Sequence, residues 1–88
     1  MGESHDPESA IGTITHYFGH LSVAAVALTD RLKVGDRIHV KGHTTDLVQQ
    51  VASLQIEHTA VQQAGPGDDV ALEVNDHVRI GDHIYREE

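Results

Sequence analysis

From Ala10 onward the chain is written in short apolar runs separated by glycine–aspartate pairs. Residues 11–18, Ile-Gly-Thr-Ile-Thr-His-Tyr-Phe, are rich in β-branched and aromatic side chains, which suit a pleated surface and predict a strand. Gly19-His20 offers a turn. Residues 21–28 are open to two readings: they are apolar enough for a strand, yet Leu21, Ala24, Ala25 and Leu28 also fall at helical spacing. Val34-Gly35-Asp36 predicts a turn, glycine supplying the positive φ and aspartate bonding back to the chain. Residues 37–41 then alternate strictly, with Ile38 and Val40 on one face and Arg37, His39 and Lys41 on the other. That is a strand with one solvated face.

Between residues 45 and 61 the apolar parity changes, with Leu47 and Val51 on one phase and Leu54 and Ile56 on the other. A β-bulge near Ala52 and Ser53 would turn all four inward. Pro66-Gly67 marks another turn. Val70, Leu72 and Val74 alternate, and Ile80-Gly81-Asp82 leads to a last strand around Ile84. Five or six short strands at such intervals predict a small all-β barrel or sandwich. The glycine–aspartate pairs at 35, 67 and 81 have no fixed period, so they indicate recurring turn chemistry rather than a repeat.

Eighty-eight residues fit one domain. Residues 1–9 carry no apolar side chain after Met1 and read as a disordered leader, residues 10–86 as the folded part, and Glu87 and Glu88 as an acidic tail. The net charge of −8 therefore concentrates at the ends, and residues 10–86 hold nine acids against six scattered bases. Phosphate binding draws on a clustered basic face, so tight non-specific nucleic-acid binding is not expected. The absence of cysteine excludes disulfides, thiolate ligands and a thiol nucleophile. With no apolar run near the length of a membrane span and no signal-like start, a soluble cytoplasmic protein is expected.

Three stretches together carry a family likeness: Leu32-Lys-Val-Gly-Asp-Arg-Ile-His-Val40, Ala64-Gly-Pro-Gly-Asp-Asp-Val70 and Val78-Arg-Ile-Gly-Asp-His-Ile84. In order and spacing they resemble the second domain of elongation factor Tu and related translational GTPases. The resemblance implies a single closed six-stranded Greek-key β-barrel and resolves residues 21–28 as a strand. Similar barrels also end some collagenase-like peptidases. In the elongation factors this domain helps hold the aminoacyl end of tRNA, partly through a Glu-Met-Phe-Arg stretch. Glu57 stands at the glutamate, and His58, Thr59 and Ala60 stand at the other three positions. The resemblance thus implies Glu57 and His58 as partner contacts, without the stacking ring and fixed cation.

No Gly-x-x-x-x-Gly-Lys-Ser/Thr phosphate loop is present, so nucleotide hydrolysis by that mechanism is excluded. His16 and His20, like His39 and His43, are four apart, which on a strand separates them by roughly 13 Å, too far to share one ion. Asp68 and Asp69 point to opposite faces of a strand and suit a turn better than acid–base catalysis. The row Arg37, His39 and Lys41 is the best positive surface. These features predict a non-catalytic binding module, without cofactor, metal or nucleotide, contacting a ribosomal, RNA or protein partner. The alternative is an accessory subunit supplying in trans the barrel found at the C-terminus of collagenase-like peptidases.

Overall fold

The alternation of residues 37–41 becomes β4 (Arg37–Lys41), in which Ile38 and Val40 are fully buried while Arg37 and Lys41 face solvent. In the computed structural model, which describes residues 10–87, nine further strands surround it and no helix occurs among the described residues. They are β1 (Gly12–Phe18), β2 (Val23–Leu28), β3 (Leu32–Lys33), β5 (Asp46–Gln50), β6 (Leu54–Ile56), β7 (Thr59–Val61), β8 (Gln63–Ala64), β9 (Asp69–Glu73) and β10 (His83–Glu87). The ambiguous segment 21–28 is a strand: Ala24, Val26 and Leu28 point inward at period two, which a helix cannot reproduce.

Eight strands form one antiparallel ladder in the order β5-β4-β10-β1-β2-β9-β6-β7, and β3 pairs with β8 in a second small sheet. The ladder is open, because β5 and β7 at its ends do not pair. The all-β class thus holds, whereas backbone pairing shows no sheet closed into a six-stranded barrel. The expected leader (residues 1–9) and Glu88 lie outside the described residues. Glu87, expected in the acidic tail, is the last residue of β10 and pairs with Arg37.

All three glycine–aspartate pairs build the same turn. Gly35, Gly67 and Gly81 have φ of 98°, 89° and 95°, and each following aspartate N–H donates to the carbonyl three residues back, at 3.1 Å every time. Each aspartate carboxylate also accepts the N–H of that same residue: Lys33 at 3.0 Å, Gly65 at 2.9 Å and Arg79 at 2.8 Å. Glycine with positive φ at the third position makes a type II turn, and Pro66 occupies the second position that such turns favour. A carboxylate bound to a backbone N–H locks the turn with a charge-assisted bond.

The parity change after Gln50 is a strand break, not a bulge. Residues 51–53 leave the ladder, so β5 pairs with β4 at one end while β6 pairs with β9 and β7 near the other. Val51 and Leu54 are buried at the crossing; Leu47 and Ile56 are only partly so. A real irregularity occurs in β1 between Ile14 and His16, where the register against β2 slips. It lets Ile14 and Tyr17, three apart, both pack toward the core. That core is almost wholly aliphatic, with Ile14, Leu32, Ile38, Leu54, Leu72 and Ile84 its largest fully buried members.

Candidate functional site

The solvent face of β4 carries the expected row, but its neighbours change its character. Cross-strand pairing sets Lys41 against Asp46 and Arg37 against Glu87. Between them the His39 ring is held from both sides: Nε2 lies 2.5 Å from Asp46 Oδ1 and Nδ1 lies 3.2 Å from Glu87 Oε2. The imidazole is only 12% exposed, while Asp46 is 73% exposed. Two carboxylates accompany the two fixed bases, so the face is mixed in charge rather than positive. His39 ties together β5, β4 and β10.

Glu57 and His58 form the two-residue loop between β6 and β7, where Ile56 pairs with Thr59. Their φ values are 50° and 66°, the two successive positive angles that a type I′ hairpin requires. Asparagine–glycine fits that turn best; here two bulkier residues adopt it with exposed side chains. In the ladder, four strands separate β6 from β4, so pairing does not bring Glu57 and His58 beside the Arg37 row.

Two features escaped the sequence reading. The first is Gln49, which is 6% exposed and ties β5 to the end of β9, two strands that backbone pairing leaves apart. Its Nε2 donates to the Glu73 carbonyl at 2.9 Å, and its Oε1 accepts the Asn75 N–H at 2.7 Å. The signal was available, since Gln49 shares parity with Leu47 and Val51 and so had to point inward. The second is a hollow of about 450 Å³ beside β3, lined by Asp30, Arg31, Lys33, Asp36, Gln63 and Arg86 along with Leu32. The Arg86 guanidinium donates to the Arg31 carbonyl and lies 3.9 Å from Asp36 Oδ2.

Among the described residues no three His, Asp or Glu side chains are placed to hold a metal ion. Instead, His16 stacks on Phe18 at a 6.0 Å ring separation, and His77 meets Tyr17 edge-on at 4.7 Å. No helix among the described residues is long and apolar enough to cross a membrane.

An open antiparallel ladder with a small second sheet, locked by three glycine–aspartate turns, has a solved counterpart. The C-terminal domain of a Geobacillus thermoleovorans protein described as a U32 peptidase superposes with a TM-score of 0.88 at 16% identity, covering 98% of this chain and 100% of that one. At that identity the likeness is one of fold. The curated relatives are more specific. An uncharacterized protease of Methanocaldococcus jannaschii is 40% identical over 76 residues, covering 85% of this chain and 19% of the relative. A collagenase of Porphyromonas gingivalis is 32% identical over 78 residues, covering 86% and 22%. The chain spans about a fifth of the length of the curated relatives it matches. No protein-family model matches it.

These findings overturn the resemblance to elongation factor Tu, and with it the translation-factor-like binding module. The reason is physical. The three stretches that carried the likeness centre on Gly35-Asp36, Gly67-Asp68 and Gly81-Asp82, whose backbone bonds close the turn and tie it to Val51, Leu28 and Ile14 of this same domain. They report how the strands reverse and nothing about what the domain touches.

Proposed function

We propose that this domain is a non-catalytic accessory module of a collagenase-like peptidase. The observation that carries this reading is the 40% identity to a protease, confined to a fifth of that protease's length. The fold of a peptidase C-terminal domain supports it independently. An interior packed with aliphatic side chains favours binding over chemistry, because catalytic groups need a shaped, water-excluding cleft. In this reading the ladder curls so that the Gln49 side chain ties β5 back to the end of β9, giving a barrel-like body joined there by a side chain. The mixed-charge face of Arg37, His39 and Lys41 suits the polar surfaces by which domains of one enzyme meet.

The test is association. The full chain is mixed with the catalytic portion of a collagenase-like peptidase whose own equivalent domain has been deleted, and the mixture is run by size exclusion. Co-elution as a stoichiometric complex is expected. Separate elution at every ratio tried would remove the reading.

A further inference from the structure

We propose that the hollow beside β3 is a binding site for a carboxylate-bearing segment of polypeptide. Three of the six bases in the chain, Arg31, Lys33 and Arg86, converge there from two separate parts of the sequence. In a chain of net charge −8 this is a local concentration of positive charge. The two acids on the rim already have partners. Asp30 Oδ1 accepts the Arg31 N–H at 2.7 Å, and Asp36 Oδ2 accepts the Lys33 N–H at 3.0 Å with Arg86 nearby. The Arg31 guanidinium and the Lys33 ammonium have no hydrogen bond or ion pair among the described residues. Lys33 stands directly opposite Gln63 across the β3–β8 pair, and both line the hollow.

This donor set fits a carboxylate. A guanidinium can grip one with two parallel bonds, and the ammonium and amide supply further donors. Three bases against two acids leave a single surplus charge, so recognition rests on the paired-donor geometry a carboxylate offers rather than on net charge. The hollow does not fit a nucleic acid, since its lining holds no aromatic ring on which a base could stack. An acidic side chain presented on an extended peptide needs only one such charge and a hollow of this size.

The site is independent of the peptidase reading, since either can fail alone: the reading is tested by complex formation, the site by a probe that needs no partner. Fluorescent hexaglutamate is titrated with the full chain at about 50 mM salt, where surface charges are weakly screened. Hexaglutamine and a short oligothymidylate serve as comparison probes. Saturable hexaglutamate binding is expected, weakened by about tenfold or more in the Arg31→Glu/Lys33→Glu variant and by less than about twofold in Arg37→Glu/Lys41→Glu. Thermal melts establish that both variants remain folded, as exposed substitutions should allow. The proposal is overturned by no saturation up to about 1 mM protein, by equal losses in the two variants, or by hexaglutamine or oligothymidylate binding as tightly as hexaglutamate.

Discussion

Replacing Gln49 by leucine keeps the volume near the seam but removes the side-chain bonds that tie β5 to the end of β9. The side chain donates to Glu73 O at 2.9 Å and to Gln50 O at 3.3 Å, and accepts the Asn75 N–H at 2.7 Å. A typical internal hydrogen bond contributes a net of about 1 kcal/mol, and a buried backbone group left unpaired costs about 1–3 kcal/mol. Asn75 is exposed, so its N–H recovers water readily; the Glu73 carbonyl faces the buried amide and recovers it less well. The expected loss is about 2–3 kcal/mol, partly offset by the apolar gain of leucine. For a domain of this size that lowers Tm by roughly 8–20 °C. Urea denaturation of wild type, Gln49→Leu and Gln49→Glu gives the numbers. The glutamate variant should be at least as damaged, because it keeps the acceptor for Asn75 but sets a carboxylate against the Glu73 carbonyl. If Gln49→Leu melts within about 0.5 kcal/mol of wild type, the seam is not held by this side chain and the reasoning fails.

Other substitutions probe the turns and the β4 face. A Cβ on Gly42 would sit 1.9 Å from Asp82 Oδ1, so Gly42→Ala must push out a buried carboxylate that holds the Arg79 N–H. A loss of about 2–3 kcal/mol by denaturant titration is expected, and a neutral result would contradict that packing. Glu57→Asn/His58→Gly should stabilise by about 1 kcal/mol, since both positions have positive φ; destabilisation would deny the type I′ turn. Asp68→Ala should cost about 1–2 kcal/mol through the lost bond to the Gly65 N–H, with a wild-type midpoint arguing against a locked turn. His39→Gln should cost no more than about 1 kcal/mol, as expected for ion pairs with an exposed partner such as Asp46, and a larger loss in thermal melts would show His39 to be structural.

Local periodicity made much of this fold readable. Arg37–Lys41 alternates so strictly that its ends and its inward residues follow from the sequence, and the glycine–aspartate turns announce both their φ and their side-chain bonds. What failed involved partners far along the chain. The parity switch at residues 51–53 looked like a bulge because sequence does not tell which strands β5 and β6 join. Arg37, His39 and Lys41 were rightly placed on one face, but Asp46 and Glu87 reach them only through pairing with β5 and β10, and Glu87 is 48 positions from His39. The hollow beside β3 was invisible for the same reason, being assembled from residues 30–36, Gln63 and Arg86. The family likeness erred differently, by giving turn chemistry a functional meaning.

The claim that this domain serves a collagenase-like peptidase is tested most directly by restored activity. A collagenase-like peptidase stripped of its equivalent C-terminal domain is assayed on gelatin, alone and with increasing amounts of this chain, with the chain by itself as control. Little cleavage by either component alone is expected, with a saturable rise in cleavage as the chain is added. Cleavage by the chain alone, or a peptidase indifferent to its presence at saturating concentration, would contradict that claim.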